Sequence, residues 1–191
     1  MSTPSNPHFG LEPSPWFTRH AALIPAGARV LDLACGYGRH ARFFAARGAQ
    51  VLAVDRDATA LAAMAGVAGI EIRPADLEAD AWPFEGDRFD AIVVSHYLHR
   101  PLLPRLRAVL ADDGALLYET FAIGNEAYGR PSNPAFLLRR DELLGLAAPA
   151  PTPLTIVAFE QGLMSLGDRP AVLQRLAAVG SGRPWPPLLS A

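Results

Sequence analysis

Short apolar runs alternate along this chain with segments whose apolar residues recur at helical spacing. The runs are largely apolar and stand at residues 30–33, 50–55, 70–73, 89–95 and 115–121. A strand exposed on one face would alternate apolar and polar residues, whereas a continuous apolar run is typical of a strand buried on both faces. The pattern therefore predicts a parallel sheet that is covered by helices on both faces.

Capping residues mark where the helices between these runs begin. Ser14 followed by Pro15 predicts the start of a first helix, which reaches Leu23. A second helix is predicted over residues 39–47, and Asp57 can cap a third.

Apolar residues on one face predict the extent of the third and fourth helices. The third has Leu61, Met64 and Val67 at helical spacing before Gly69. The fourth has five apolar residues on one face and Gly114 as its predicted terminator, the five being Leu102, Leu103, Leu106, Val109 and Leu110.

The last third of the chain has a different pattern. A loop rich in Gly, Asn and Pro at residues 122–134 precedes a short predicted helix at residues 141–146. Two strand-like runs follow, at residues 154–159 and 171–178, with a turn at residues 167–168. Neighbouring strands with a short connection pair antiparallel. We therefore expect an α/β fold with a Rossmann-like, doubly wound sheet that is mostly parallel and ends in an antiparallel strand pair.

The junction between the first strand and the second helix carries the strongest chemical signal. Residues 30–38 read Val-Leu-Asp-Leu-Ala-Cys-Gly-Tyr-Gly. Gly36 and Gly38 tolerate the positive φ of a sharp turn and leave the backbone open to a ligand, although this spacing also fits a dinucleotide fingerprint. Asp32, at the carboxyl end of the strand, suits a cationic ligand and would crowd a pyrophosphate. The segment therefore favours a nucleoside that carries a positive charge.

Polar side chains follow the other predicted strands at the edge where ligands bind in such sheets. Asp55 comes 19 residues after Gly36, a distance at which a carboxylate can accept hydrogen bonds from both ribose hydroxyls. Asp76 follows the third strand and can accept from an exocyclic amine such as that of adenine. Ser95 ends the fourth strand, so these side chains are expected at one edge of the sheet.

Four motifs in this order resemble those of class I S-adenosylmethionine-dependent methyltransferases. They are Val-Leu-Asp-Leu-Ala-Cys-Gly-Tyr-Gly, Val-Asp-Arg-Asp, Ala-Asp-Leu and Phe-Asp-Ala-Ile-Val-Val-Ser, within residues 28–121. Residues 118–134 carry a narrower similarity, to small one-domain bacterial proteins of the tellurite-resistance type. The resemblance implies S-adenosylmethionine as the cofactor.

The same resemblance implies cofactor-binding roles for nine residues. It places Asp32, Ala34, Gly36 and Gly38 around the methionine portion, Asp55 and Arg56 at the ribose and adenine, Asp76 and Leu77 at the adenine, and Ser95 beside the ligand. Position 34 departs mildly from the family pattern. Many members have glycine there, and alanine narrows the approach to the backbone.

Length, charge and the distribution of apolar residues limit the number of domains, the partners and the cellular location that we expect. Its 191 residues suit one domain, residues 1–191, whose ends at 1–12 and 182–191 we expect to be loosely ordered. The net charge is −2, and without a basic run interleaved with aromatic residues we expect no nucleic-acid partner. No apolar run of membrane-spanning length and no secretory pattern is visible. We expect a cytoplasmic monomer or homodimer with no membrane partner.

The cysteine and the histidines offer few further candidates for a nucleophile or a metal ligand. Cys35 is the single cysteine, and we expect it to be a small turn residue rather than a nucleophile. His96 and His99 form a His-x-x-His pair without a third ligand, so no metal site is expected. Arg39 and His40 open the second helix, whose N-terminus attracts anions such as a carboxylate.

The resemblance implies direct transfer of the sulfonium methyl group to an acceptor aligned with the sulfur. We expect a small-molecule acceptor, anionic or containing a chalcogen, and the catalytic residues stay unknown. A base is needed only if the acceptor is protonated and weakly acidic, and the candidates are His96, Tyr97 and Glu119. The loop at residues 122–134 is expected to form part of the acceptor pocket through its polar residues Asn125, Glu126, Tyr128 and Arg130.

Two other functions fit parts of the pattern. An NAD(P)-dependent Rossmann oxidoreductase is compatible with the glycine spacing and with Asp55, but not with Asp32, Asp76 or a chain this short. A non-catalytic S-adenosylmethionine-binding regulatory protein would have an intact Asp55 site beneath a blocked acceptor pocket.

Overall fold

A seven-stranded sheet forms the centre of the computed structural model, which describes residues 12–79, 81–148, 153–166 and 169–189. The strands are β1 (Arg29–Leu33), β2 (Gln50–Asp55), β3 (Ile70–Pro74), β4 (Phe89–Ser95), β5 (Leu110–Phe121), β6 (Thr155–Leu166) and β7 (Arg169–Val179). Their spatial order is β3-β2-β1-β4-β5-β7-β6. The first five are parallel, and β7 runs antiparallel to both β5 and β6. The predicted fold class is confirmed.

In the part of the chain that the structure describes, five α-helices and four short 3-10 segments precede or connect these strands. The α-helices are α1 (Pro15–Arg19), α2 (Arg39–Ala46), α3 (Ala58–Ala62), α4 (Leu103–Val109) and α5 (Glu142–Ala147). The 3-10 segments are Ala21–Leu23, Arg100–Leu102, Asn125–Ala127 and Pro134–Phe136. Among the described residues, no helix is both long and apolar enough to cross a membrane.

The continuous apolar runs are explained by two buried layers, one on each face of the sheet. In β4, Ile92 and Val94 belong to one layer, whereas Ala91 and Val93 belong to the other. Helices α4 and α5 cover the first layer, and α1, α2 and α3 cover the second. Because both faces are buried, a strand such as β4 has no face on which polar residues would be favoured.

The strand order creates a crevice at the carboxyl end of β1. From β1 the chain proceeds to β2 and β3 on one side, and β4 and β5 lie on the other. Loops leaving β1 and β4 therefore diverge, and the space between them is where ligands bind in open α/β sheets.

Three helices end earlier than their sequence patterns predict. Helix α1 ends at Arg19, and the chain continues to Leu23 as a 3-10 turn. Helix α3 ends at Ala62, and a turn that contains Gly66 with φ 76° replaces the predicted last turn. Helix α4 ends at Val109, although its apolar pattern continues.

The predicted role of Gly114 as a helix terminator is wrong. Leu110 already pairs with Phe89 as the first residue of β5, and Gly114 lies within that strand. A register shift separates this pair from the next, Ala91 with Ala115. The apolar side chain of Leu110 is thus buried through strand pairing rather than on the helix.

The antiparallel pair at the end of the sheet is confirmed and is longer than predicted. Register continues from Thr155 opposite Val179 to Leu166 opposite Arg169. The predicted turn at residues 167–168 lies outside the described residues, as do residues 1–11 and 190–191. Within the C-terminal segment, Arg183 donates hydrogen bonds to the carbonyls of Leu23 and Asp113.

Candidate functional site

A cavity of about 550 Å³ lies at the carboxyl ends of β1, β4 and β5. Its walls come from the loop after β1, the first residues of α2, the loop after β4, the end of β5 and the segment that follows β5. The lining residues are Asp32, Ala34, Cys35, Gly36, Tyr37, Arg39, His40, Glu78, Ser95, His96, Tyr97, Leu98, Thr120, Phe121, Arg130, Pro131 and Phe136.

The turn after β1 has a left-handed backbone at three positions. Ala34 has φ 53°, Gly36 has φ 54° and Gly38 has φ 75°. A Cβ atom on Gly38 would lie 1.8 Å from the sulfur of Met64, so this position also needs the absence of a side chain. Gly36 therefore presents bare backbone to the cavity, which is what close approach of a ligand requires, whereas the open side of Gly38 is occupied by Met64.

Asp55 connects the end of β2 to this turn. One carboxylate oxygen accepts a 2.8 Å hydrogen bond from the backbone N–H of Gly36, and the other accepts a 2.9 Å bond from that of Asp57. A carboxylate oxygen has two lone-pair sites, so each oxygen can accept one further donor. The half-buried Asp55 can therefore hold the turn and bind a pair of ligand hydroxyls at the same time.

Asp32 is a buried carboxyl group in the wall of the cavity. It is 2% exposed, and its Oδ2 has no hydrogen-bond partner. Burial raises the pKa of Asp32 from its ordinary value of 3.8 to about 7, and the backbone N–H of Ala41 and the charge of Arg39 only partly oppose this. A buried carboxyl group that lines a cavity and has one oxygen without a hydrogen-bond partner suits a cationic ligand group.

Arg39 and His40 open α2 but differ in what they offer a ligand. Arg39 donates a 3.0 Å hydrogen bond to the hydroxyl of Ser95 and lines the cavity with its guanidinium. Burial and the charge of Arg39 lower the pKa of His40 to about 2, so its ring is neutral. Its Nε2 accepts a hydrogen bond from the backbone N–H of Ser14. Arg39 can therefore attract an anion, whereas His40 has a structural role.

Residues 30–114 match the sequence pattern of a protein family that is described as a methyltransferase domain. This part of the chain is therefore similar in sequence to a methyltransferase domain. The match covers every strand and loop that contributes to the crevice from β1 to β4.

Individual relatives agree with this family. The chain is 33% identical over 150 residues to demethylmenaquinone methyltransferase of Clavibacter sepedonicus, which is 74% of this chain and 57% of that protein. The chain thus spans little more than half of this curated relative. The structure is similar to TehB from Haemophilus influenzae, with a TM-score of 0.68, 19% identity, and coverage of 84% of this chain and 60% of that one.

A second similar structure is an S-adenosylmethionine-dependent methyltransferase from Mesorhizobium loti. Its TM-score is 0.66 at 20% identity, covering 89% of this chain and 100% of that one. At these identities the likeness of the structures concerns the fold. Together with the family match, it agrees with the resemblance drawn from the motifs and with S-adenosylmethionine as the expected cofactor.

The nine residues implied to bind the cofactor divide into two groups. Those that line the cavity are Asp32, Ala34, Gly36 and Ser95. Those that do not are Gly38, in the turn after β1, and Asp55, Arg56, Asp76 and Leu77, which end or follow β2 and β3. Leu77 is buried in the first apolar layer and Arg56 is exposed, so the role of each toward an adenine stays a prediction.

Several residues of the methyltransferase cavity carried no sequence signal of their own. Glu78 follows Asp76, which accepts a 3.0 Å hydrogen bond from its backbone N–H, and the side chain of Glu78 reaches the cavity. Thr120 and Phe121 end β5, and Phe136 comes from the segment after it. Thr120 and Phe121 could have been found from their position at the end of a predicted strand, whereas no strand end locates Phe136.

The loop at residues 122–134 contributes to the cavity in part. Arg130 lines it, as expected. Asn125 instead holds the loop, donating to the carbonyl of Pro131 and accepting from the backbone N–H of Val172. Glu126 accepts from the backbone N–H of Gly124. Tyr128 is 47% exposed and does not line the cavity, so the expectation that it forms part of the pocket wall is wrong.

The candidate bases also occupy different places. His96 and Tyr97 line the cavity, whereas Glu119 is fully buried behind His96. Burial and the carboxylates of Glu78 and Asp76 raise the pKa of Tyr97, which keeps its hydroxyl protonated. Burial likewise raises the pKa of the Cys35 thiol, which disfavours a thiolate nucleophile. The described residues contain no group of three or more side chains that could hold a metal ion.

Proposed function

We propose that this protein is an S-adenosylmethionine-dependent methyltransferase that acts on a small, anionic acceptor. The observation that carries the proposal is the unpartnered, buried Oδ2 of Asp32 in the wall of a cavity of about 550 Å³, beside a turn of bare backbone. A cavity of this size is within the range of about 300–1,000 Å³ that small molecules occupy. The donors and acceptors around it fit a nucleoside with a cationic amino-acid arm.

The nucleoside portion and the methionine portion of the cofactor would lie at the carboxyl ends of different strands. Asp55, already oriented by the backbone of Gly36, would hold the ribose diol, with Arg56, Asp76 and Leu77 at the adenine. At the other end, the methionine portion would lie along the turn after β1, with its ammonium at Asp32. Gly38, Ala34 and Ser95 complete the set that we assign to the cofactor.

When bound, the cofactor supplies an electrophilic methyl group on a sulfonium. The protein's part is to position the acceptor in line with the sulfur and to exclude water. The rings of Phe121 and Phe136 and the side chain of Leu98 provide apolar walls for this.

The acceptor side of the cavity favours an anionic molecule. Arg130 lines this side. Arg39 is the first residue of α2 and donates one hydrogen bond to Ser95. A guanidinium binds a carboxylate or another oxyanion through two parallel hydrogen bonds. A chalcogen oxyanion falls in the same class and would need no base. A nucleic-acid acceptor is not expected, because the chain lacks a basic run with aromatic residues.

Isothermal titration calorimetry with S-adenosylhomocysteine and, in parallel, with NADH tests the cofactor. We expect binding of the first and none of the second. Binding of NADH alone would identify the oxidoreductase alternative and contradict the proposal.

Release of S-adenosylhomocysteine in a screen of small anionic acceptors tests the activity. Turnover of at least one acceptor is expected, with Asp55→Ala, which should bind the cofactor more weakly and turn over more slowly at low cofactor concentration, as the matched control. Tight S-adenosylhomocysteine binding without turnover of any acceptor would favour the non-catalytic regulatory protein.

A further inference from the structure

His96 is held in an unusual backbone conformation directly after β4. Its φ is 54°, in the left-handed region that non-glycine residues seldom adopt. The strand pairing that sets Ser95 opposite Glu119 continues into a 2.8 Å hydrogen bond from the backbone N–H of His96 to the carbonyl of Glu119. Such conformations persist where the surrounding structure enforces them, and they concentrate at functional sites.

The imidazole ring of His96 lies between a carboxylate and a guanidinium. Its Nε2 is 3.6 Å from Oε1 of Glu119, and its Nδ1 is 3.5 Å from Nη2 of Arg39. The ring also packs on Phe121, with 4.8 Å between centroids. The side chain of His96 is 14% exposed, on the side of the cavity.

These two neighbours assign the tautomer of the ring. A carboxylate can only accept hydrogen bonds, so the nitrogen that faces Glu119 carries the proton. A guanidinium can only donate, so the nitrogen that faces Arg39 carries a lone pair. Nδ1 is therefore the basic atom, and it lies beside Arg39, another residue of the cavity lining. Its 3.5 Å contact with Arg39 is at the long limit for a hydrogen bond, so the X–H group of an acceptor can replace it.

Glu119 is oriented by partners that leave one oxygen for His96. Its Oε2 accepts a 2.6 Å hydrogen bond from Nε of Arg175 and a 3.1 Å bond from the hydroxyl of Ser14. Arg175 also pairs with Glu160. Glu119 is fully buried, and its Oε1 has no hydrogen-bond partner within the usual distance. The carboxylate thus directs Oε1 at the ring and is placed to stabilise a positive charge there.

We propose that His96 is the catalytic base of this methyltransferase, that Glu119 is its positioning residue, and that the acceptor reacts through a protonated O–H, S–H or N–H group. This inference rests on the proposed function. The acceptor's X–H bond breaks, its electron pair stays on X, and its proton passes to Nδ1 of His96. X forms the bond to the methyl group while the bond between that methyl group and the sulfonium sulfur breaks. The electron pair of the broken bond stays on sulfur, so S-adenosylhomocysteine is the leaving group, and the proton then leaves His96 for solvent. Overall, the acceptor exchanges a proton for a methyl group.

Imidazole ¹⁵N NMR of the full chain at pH 7.5 tests the tautomer without any acceptor. His96 is identified by the loss of its signals in His96→Asn, a substitution that suits the left-handed backbone. We expect a protonated Nε2 and an unprotonated Nδ1. A protonated Nδ1 in the wild-type protein would overturn the proposal. Calorimetry with S-adenosylhomocysteine on the same sample separates this outcome from failure of the proposed function.

Glu119→Gln tests the positioning role by the same spectra. The amide oxygen of the new side chain must face the donor Arg175, so its NH₂ group faces His96 and requires a lone pair on Nε2. We expect the proton to move to Nδ1. Glu160→Gln, which shares Arg175 but does not touch His96, should keep the wild-type tautomer. An unchanged tautomer in Glu119→Gln would contradict the role of Glu119.

Turnover of two probe acceptors of similar shape tests the base itself. With 4-hydroxybenzoate, His96→Asn should lower kcat about 100-fold or more, as expected for loss of a base. With 4-mercaptobenzoate, whose thiol ionises more readily, the loss should be several-fold smaller. His99→Asn is the matched control and should retain wild-type rates. Equal losses of kcat on both acceptors, or no loss on either, would overturn the proposal. If the wild-type protein turns over neither probe, the tautomer measurement decides.

Discussion

The carboxylate of Asp55 accepts a 2.8 Å hydrogen bond from the backbone N–H of Gly36, and so connects the end of β2 to the turn after β1. The same side chain is the one we propose to hold the ribose of the cofactor. One residue therefore shapes the ligand-binding turn and binds the ligand. Because the two tasks use the same oxygens, its loss should affect binding more than a surface contact would.

Asp55→Ala should weaken S-adenosylhomocysteine binding by about 1.5–3 kcal/mol, the range for hydrogen bonds to a charged group. Calorimetric dissociation constants measure this directly. Asp57→Asn is the control, because Asp57 caps α3 through the backbone N–H groups of Thr59 and Ala60 and asparagine caps equally well. A dissociation constant that does not change in Asp55→Ala would remove the residue from the cofactor site.

Asp32 should make the stability of the ligand-free protein fall as the pH rises from about 4 to 7. Burial raises its pKa in the folded state to about 7, above its ordinary value of 3.8, so the folded state holds the proton through this window and the unfolded state does not. Asp32→Asn removes the effect. The difference in unfolding free energy between the variant and the wild type should grow up to about pH 7 and then level off. Urea titrations at several pH values would show this, and a pH-independent difference would contradict it.

Asp32 should make the affinity for a cationic ligand rise with pH, although it makes the stability of the ligand-free protein fall. The ammonium of S-adenosylhomocysteine favours the ionised carboxylate, so wild-type affinity should rise with pH up to about 7 as the proton is released. In Asp32→Asn the affinity should be weaker and nearly flat over the same range. Parallel pH profiles of the calorimetric affinity would check this, and equal slopes would place the ammonium away from Asp32.

Arg130→Ala should lower kcat/KM for an anionic acceptor about 10- to 100-fold, which corresponds to the loss of a charge-assisted hydrogen bond. S-adenosylhomocysteine affinity should stay within about 0.5 kcal/mol. Arg130→Lys should recover part of the activity, since it keeps the charge but not the planar donor pair. Tyr128→Ala, in the same loop but outside the cavity walls, is the control. Equal losses in cofactor binding would make this loop part of the cofactor site instead.

Gly38→Ala should destabilise the fold more than Gly66→Ala. Both glycines have nearly the same φ, 75° and 76°, so the cost of a left-handed alanine, about 1–2 kcal/mol, is common to both. At Gly66 a Cβ meets nothing within 4 Å, whereas at Gly38 it would lie 1.8 Å from the sulfur of Met64. The additional loss at Gly38 should be about 1–3 kcal/mol in denaturant unfolding. Equal losses would mean that Met64 moves aside without cost.

The buried strands were the easiest elements to predict from the sequence. Residues 50–55 and 89–95 form β2 and β4 with the predicted bounds, because each run is apolar and both faces of the strand are covered. Helix ends were harder, and α4 is the clearest case. Leu110 continues the helical pattern, yet it is buried by pairing with Phe89, and a one-dimensional pattern cannot distinguish the two ways of burying a leucine.

The residues of the candidate site could be predicted from the sequence where they lie at the ends of predicted strands. Asp32, Ala34, Gly36 and Ser95 line the cavity because each lies at or just after a buried parallel strand. Phe136 was not predictable in this way, since it belongs to a segment that no strand end locates. Tyr128, a reasonable candidate by composition, lies outside the cavity walls, in a loop that Asn125 holds through the carbonyl of Pro131 and the backbone N–H of Val172.

The sequence by itself determined the alternation of strands and helices, the glycine turn and the carboxylates at the strand ends, because apolar periodicity, capping and positive φ are local properties. Only the tertiary structure decided that His96 meets Glu119, and that Glu119 is held by Arg175 from β7. These contacts depend on which strands are neighbours and on their register. Both are set by packing between segments distant in the chain, which no local pattern of residues records.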